Sequence, residues 1–152
     1  MSPVARAILN YTTSVDSGKT AMECVSILLK HGAVNVAISA GEDRSPDGLE
    51  FVITTPWGPR QFSLPVNIEG TEKSLKQARR ERRIEPRFTT REQARRVAWR
   101  IVKDWLEAQL ALIEAMQVDL LQVMLPYLKV DRDRTLYAAY MESELRQLEA
   151  GS

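Results

Sequence analysis

The chain is poor in the residues that build covalently linked or metal-held scaffolds. It has one cysteine, Cys24, and one histidine, His31, among 152 residues. A single cysteine excludes an internal disulfide, and one cysteine with one histidine cannot supply the ligands of a structural zinc site. Asp131 and Asp133 do not have the spacing of an EF-hand loop. We therefore expect neither a metal nor another cofactor.

Long apolar runs and a secretion signal are also lacking. No stretch approaches the roughly 20 consecutive apolar residues that span a bilayer. The first residues, MSPVARAILNYTTS, lack the apolar region and cleavage site of a signal peptide. Hydrophobic residues nevertheless make up 44% of the chain, which is enough for a core. We expect a cytoplasmic protein without membrane contact, folded as a single domain over residues 1–152.

Catalytic motifs are missing as well. There is no Gly-x-Ser-x-Gly sequence of the kind that exposes a serine nucleophile. Residues 16–20, DSGKT, end like a phosphate-binding P-loop, but Thr13 stands where the motif requires its first glycine. Cys24 has the apolar residues Val25 and Ile27 close by in the sequence and is typical of a core position. His31, beside a predicted helix end, is typical of a surface residue. We therefore expect a protein that is not an enzyme.

The first part of the chain shows the alternation of apolar and polar residues that is typical of β-strands. Alternating apolar residues predict strands over 6–13, 34–40, 49–55 and 60–66. Between the first two strands, apolar residues at helical spacing predict a helix that ends before Gly32. The last three strands should form an antiparallel meander, with a tight turn at Pro56-Trp57-Gly58-Pro59. The predicted order over residues 1–68 is β-α-β-β-β.

Residues 71–149 are predicted to be helical. The helices should cover residues 72–83, 90–116, 118–128 and 135–149, with Pro126 near the end of the third. Thr71 can cap the first, and Thr89 with Glu92 or Thr90 with Gln93 can cap the second. The apolar stripe of the long helix comprises Ala94, Ala98, Ile101, Trp105, Ala108 and Leu112. A small, mostly antiparallel sheet followed by a helical C-terminal half is an α+β fold.

Charge is segregated along a chain whose formal net charge is only +1. Residues 71–103 contain twelve Lys/Arg and four Asp/Glu, a formal charge of +8. Residues 1–70 carry −2 and residues 104–152 carry −5. Such asymmetry indicates a polyanionic partner, unless the acidic segment folds back onto the basic one or the basic face is merely solvated.

Arginine dominates the basic segment, and its planar fork matches phosphate oxygens. We therefore predict a non-catalytic nucleic-acid-associated protein that binds the phosphate backbone of DNA or RNA with little sequence selectivity. Trp57, at a predicted hairpin tip, could stack on a base. The predicted basic contacts are Lys73, Lys76, Arg79, Arg80, Arg82, Arg83, Arg87, Arg91, Arg95 and Arg96.

The segment REQARRVAWRIVKDWLEAQLALIEAMQVDLLQVMLPYL, with AILNYTTSV near the start, resembles small uncharacterised proteins encoded by phages and prophages. The resemblance covers most of the chain and implies one of two roles, handling of nucleic acid or binding and inhibition of a host protein. The second role is the alternative hypothesis, in which the chain is an adaptor or inhibitor that binds a host protein, an acidic protein surface or a nucleoprotein complex. Its anchors would be Tyr127, Tyr137 and Tyr140, and these helices could also form a homodimer.

Overall fold

The protein has an α+β fold in which a three-stranded antiparallel sheet precedes most of the helices, and the predicted fold class is confirmed. The structure is a computed structural model that describes residues 7–116 and 119–151. Its strands are β1 (Ala33–Ala40), β2 (Pro46–Thr55) and β3 (Gly58–Pro65). Its helices are α1 (Ser17–Lys30), α2 (Ile68–Arg80), α3 (Arg91–Met116), α4 (Leu120–Met124) and α5 (Leu136–Ala150). Short 3₁₀ turns lie at Pro86–Phe88 and Leu125–Tyr127.

The β2–β3 hairpin follows its sequence pattern closely. The alternating apolar residues of both strands are buried, and the Phe51 and Phe62 rings stack with centroids 5.6 Å apart. Pro56 and Trp57 form the turn, and Gly58 takes the positive φ of 104° that a side chain would disfavour. The meander order β1-β2-β3 is confirmed.

The strand predicted over residues 6–13 is wrong for the part that the structure describes, and Arg6 lies outside the described residues. Residues 7–13 instead form consecutive turns, with Asn10 at a positive φ of 64°. The Gln93 side-chain amide on α3 donates hydrogen bonds to the carbonyls of Tyr11 (2.9 Å) and Thr13 (2.8 Å). A glutamine side chain therefore satisfies backbone groups that a neighbouring strand would otherwise have to satisfy.

Strand β1 departs from the predicted alternation because it contains a β-bulge. Asn35 and Val36 stand opposite the single residue Phe51, and Asn35 has a φ of 51°. Within the described residues β1 pairs with β2 alone, so its other edge is unpaired. As a result Val34 is exposed, whereas Ala33 is buried.

The helix ends show which capping predictions hold. Asp16 caps α1, and Gly32 follows the C-terminus of α1 with a φ of 99°, as predicted for Gly32. Thr90 caps α3, since its hydroxyl accepts a hydrogen bond from the Gln93 backbone N–H at 3.1 Å. Helix α2 starts earlier than predicted because Asn67, and not Thr71, is its cap.

The predicted third helix is shorter than expected. It reaches only from Leu120 to Met124, and Pro126 lies in the 3₁₀ turn that follows. Proline cannot donate the backbone hydrogen bond that would continue an α-helix, which explains the change of helix type. Residues 117 and 118 lie outside the described residues.

Helix α3 lies at the centre of one contiguous core that also includes residues of α1, α2 and the sheet. Ala94 and Ala98 are buried and Ile101 and Trp105 are half-buried, as the predicted stripe requires. Farther along α3 the stripe is wrong, since Ala108 and Leu112 are exposed. The buried positions there are Leu106 and Leu110. In the described part of the chain, no helix combines the length and apolar character needed to cross a membrane.

Candidate nucleic-acid interface

Helix α2 presents a basic face because its other face is anchored in the core. Ile68, Thr71, Leu75 and Ala78 are buried, at the i, i+3, i+7 and i+10 spacing of one helix face. The opposite face carries Lys73 and Lys76, each paired with the glutamate one turn earlier. The Lys73–Glu69 distance is 3.4 Å and the Lys76–Glu72 distance is 2.8 Å. Exposed pairs of this kind contribute only a few tenths of a kcal/mol, so both ammonium groups stay available at the surface.

The end of α2 turns the chain sharply through Arg82. The Arg82 backbone N–H donates to the Arg79 carbonyl at 2.8 Å, and that of Arg83 donates to the Ala78 carbonyl at 2.9 Å. Arg82 takes a φ of 57°, a left-handed position that usually belongs to glycine. This turn gathers a group that we call the arginine cluster, defined as Arg79, Arg80, Arg82, Arg83 and Arg87.

The glutamates of this turn neutralise the arginine cluster only in part. Glu81 lies 2.8 Å from Arg83, and Glu85 lies 2.8 Å from Arg87. A hydrogen bond from the Gln77 amide, followed by one from Arg83, lowers the pKa of Glu81, so this carboxylate is ionised at neutral pH. With five arginines and two glutamates, residues 79–87 keep a formal charge of +3.

Individual members of the arginine cluster differ in how they are held. Arg79 and Arg82 are exposed and have no ion-pair partner among the described residues. Arg80 donates to the neutral Gln77 side chain, at 2.6 Å. Arg87 lies over the Phe88 ring, with its guanidinium carbon 4.5 Å from the ring centroid. Within the described residues, the cluster therefore offers two guanidinium groups without an ion-pair partner, those of Arg79 and Arg82.

Arg91 belongs to a separate ion-pair group at the start of α3. It lies 3.1 Å from Glu72, the same carboxylate that pairs with Lys76. Hydrogen bonds from Lys76 and then Arg91 lower the pKa of Glu72. The Glu72–Lys76 pair can be recognised from its i,i+4 spacing, but the link to Arg91 across 19 residues leaves no local signal. Arg96 pairs with Glu92 at 3.8 Å on the next turn.

Arg95 does not face solvent, although it belongs to the predicted basic contacts. It is only 6% exposed and forms ion pairs with Glu92 and with Asp43 of the β1–β2 turn. Hydrogen bonding from the Ser45 backbone, together with Arg95, lowers the pKa of Asp43. The Arg95 Nε has no hydrogen-bond partner among the described residues. Arg95 therefore joins the β1–β2 turn to α3 and is not available to a phosphate.

Trp57 is 74% exposed, as expected for a hairpin tip, but it lies away from Arg91. The β2–β3 turn lies beside His31 and Leu120, at the end of the sheet near the C-terminus of α3. Arg91 lies beside Gly41 and Asp47, at the other end of the sheet. The structure thus places Trp57 and Arg91 at opposite ends of the sheet.

Basic residues of 73–96 pair with carboxylates from the first two thirds of the chain. These carboxylates include Asp43, Glu69, Glu72, Glu81, Glu85 and Glu92. Farther along α3, Arg100 and Lys103 instead pair with Glu23 of α1, at 3.2 and 3.3 Å. The basic segment therefore divides into an outer part on α2 and an inner part that joins α3 to its neighbours.

The residues that resemble catalytic motifs have structural roles here. Burial raises the pKa of Cys24 to about 12, so its thiol is protonated at neutral pH. The Asp16 carboxylate accepts the Lys19 backbone N–H at 3.2 Å, which places a negative charge where a P-loop would hold phosphate. His31 caps the end of α1 and lies 3.1 Å from Glu114. Among the described residues, no three His, Cys, Asp or Glu side chains group as metal ligands would.

Comparison of the chain with protein-family models, with curated proteins and with solved structures found no match. The resemblance to phage proteins stays a prediction, and we infer the function from the geometry of the chain itself.

Proposed function

We propose that the chain is a non-catalytic nucleic-acid-associated protein that binds the phosphate backbone through the arginine cluster, with Lys73 and Lys76 extending the contact along α2. The observation that carries the proposal is the +3 charge of residues 79–87 on an exposed helix end. Guanidinium groups bind phosphate in a bidentate manner, and the glutamates of this turn hold only part of the cluster. Of the predicted contacts, Arg91, Arg95, Arg96 and Trp57 are left out of this interface.

Arg79 and Arg82 are the central contacts of the proposed interface. Both are exposed and neither has to break an ion pair within the described residues before it meets a phosphate. Arg87 would exchange the exposed Glu85 for a phosphate, at a small cost because exposed ion pairs contribute at most about 1 kcal/mol. The proposed interface contacts phosphates and not base edges. The protein should therefore bind nucleic acids of many sequences with similar affinity.

The test is binding of the purified chain to fluorescently labelled single- and double-stranded DNA and RNA, followed by anisotropy. The affinity should fall steeply between about 50 and 200 mM salt, as expected when phosphate contacts release counterions. The variant Arg79→Gln/Arg80→Gln/Arg82→Gln should bind more weakly. On a duplex, its salt slope should be smaller by about 0.9 for each phosphate that the variant no longer neutralises.

A matched control separates the cluster from total charge. The variant Lys30→Gln/Arg60→Gln/Arg132→Gln removes the same charge from exposed positions outside α2 and its following turn. This control variant should keep most of the wild-type affinity for nucleic acid and most of its salt slope. An equal loss of affinity in both variants would show that binding depends only on net charge. If the wild-type chain bound no nucleic acid at low salt, the proposal would be refuted.

Binding of a protein partner is a second candidate function, because helix α5 carries exposed apolar side chains. Tyr137 and Tyr140, two of the predicted anchors, are 60% and 59% exposed, whereas Tyr127 packs edge-on against Trp105 at 6.0 Å. Clusters of large exposed apolar side chains are typical of interaction sites. Replacing Leu145 of α5 with Glu should leave nucleic-acid affinity unchanged if the two surfaces act separately.

A further inference from the structure

Among the described residues, helix α5 is the one α-helix that has no fully buried side chain. Its half-buried Leu136 and Ala139 face the body of the protein. On the opposite side, four large apolar residues stand at spacings of four, four and three, which places them on one helix face. We call them the α5 stripe: Tyr137, Met141, Leu145 and Leu148. They are between 41% and 71% exposed.

The attachment of α5 is concentrated at its first turns. The Leu136 backbone N–H donates to the Leu128 carbonyl at 2.7 Å, Thr135 caps the helix, and Arg134 lies 2.7 Å from Glu142. Isolated helices of about 12–15 residues are marginal in water, and α5 has 15. A partner that covers the α5 stripe would therefore stabilise the last turns of the helix as well as bury apolar surface.

One carboxylate interrupts the α5 stripe. Glu144, which is half-buried, follows Met141 by three residues and precedes Leu148 by four, so it borders the exposed residues of the stripe. Glu144 has no cation partner among the described residues, whereas Glu142 pairs with Arg134 and Arg146. A carboxylate that is covered without a partner costs several kcal/mol. A partner that covers Glu144 must therefore place a positive charge opposite it.

A second copy of this chain does not meet that requirement. The α5 stripe from Tyr137 to Leu148 has its midpoint between residues 142 and 143. If two copies paired antiparallel about that midpoint, their Glu144 side chains would be offset by about 4.5 Å along the helix axes. If they paired in parallel, the two carboxylates would lie at the same level. Both arrangements bring like charges together within an interface that excludes water.

We propose that the α5 stripe binds an amphipathic helical segment of another protein, whose apolar residues cover Met141, Leu145 and Leu148 and whose Lys or Arg pairs with Glu144. The spacing of threes and fours in the stripe suits packing against a second helix. Charge complementarity selects a basic segment over an acidic one. The inference rests on the second candidate function and specifies the chemistry of its partner.

Two synthetic amphipathic peptides test the inference. They share the same leucines at heptad a and d positions and carry either lysine or glutamate at the flanking positions. Binding of each fluorescein-labelled peptide to the full chain is measured by anisotropy. The lysine peptide should bind about tenfold tighter than the glutamate peptide. Glu144→Lys should remove or reverse that preference, and Leu145→Glu should weaken binding of both peptides.

Glu42→Lys is the matched control, since it makes the same charge change at an exposed turn on another part of the chain. It should preserve the preference for the lysine peptide. Equal binding of both peptides would overturn the charge inference while supporting the second candidate function, and binding of neither would overturn both. Sedimentation of the wild-type chain as a dimer that Leu145→Glu dissociates would identify a second copy as the occupant and also overturn the inference.

Discussion

Replacing Gln93 with Met should destabilise the protein, because this side chain holds the N-terminal turns against α3. Gln93 is 6% exposed, and its amide donates to the carbonyls of Tyr11 and Thr13 at 2.9 and 2.8 Å. Methionine has a similar length and no donor. Removing each hydrogen bond costs about 1 kcal/mol, and the carbonyls left without a partner add to this, for a total of about 2–3 kcal/mol.

Urea denaturation measures this change in the free energy of unfolding, and thermal unfolding gives a second measure of it. For a chain of this size 1 kcal/mol corresponds to about 2–4 °C, so the Tm should fall by about 4–12 °C. Amide hydrogen exchange should also accelerate in residues 7–16, since their turns lose the anchor on α3.

Gln77→Met is the control for the same chemical change at the surface. Gln77 also makes side-chain hydrogen bonds, to Arg80 and Glu81, but on an exposed face of α2. The control should change the free energy of unfolding by less than about 0.5 kcal/mol. A Gln93→Met variant as stable as that control would refute the assignment of Gln93 as the anchor of the N-terminal turns.

Three further changes probe other parts of the fold. Arg82→Gly should raise the free energy of unfolding by about 0.5–1 kcal/mol in denaturant titrations, because glycine tolerates the left-handed φ at this position; a decrease would contradict the turn geometry. For Cys24 the pKa is about 12 in the folded chain against 9.0 ordinarily. Stability should therefore fall as pH rises from 9 toward 12, and Cys24→Ala should lack that component of the decline. Trp99→Ala should cost about 3–5 kcal/mol on urea denaturation, since Trp99 is fully buried and its Nε1 donates to the Pro46 carbonyl at 3.0 Å; a cost under about 1 kcal/mol would contradict this packing.

Sequence periodicity correctly predicted the elements that pack only one of their faces against the core. Strands β2 and β3 have one core face each, so the alternation of Leu49, Phe51, Phe62 and Leu64 indicated the burial pattern directly. In α3 periodicity predicted burial only in the first turns. Apolar residues occur all round its middle turns, so spacing alone could not show that Leu110 would be buried and Leu112 exposed.

Long-range hydrogen bonds account for most of what the sequence could not predict. The turns at residues 7–13 depend on Gln93, which lies about 80 residues away along the chain. In the candidate site, the local pairs Lys76–Glu72 and Arg96–Glu92 could be inferred from spacing. The burial of Arg95 could not, because its partner Asp43 lies on another element and shares no periodic pattern with it.

The bulge in β1 also bears on how the chain behaves at high concentration. An unpaired strand edge can template addition of a strand from a neighbouring molecule, which begins aggregation. Asn35, with its φ of 51°, interrupts the regular hydrogen-bonding pattern that such a template requires. On the opposite side of the sheet, the Lys129 backbone N–H donates to the Gln61 carbonyl at 2.9 Å and occupies part of the β3 edge. The bulge at one edge of the sheet and the later chain at the other should thus both hinder addition of a strand from a neighbouring molecule.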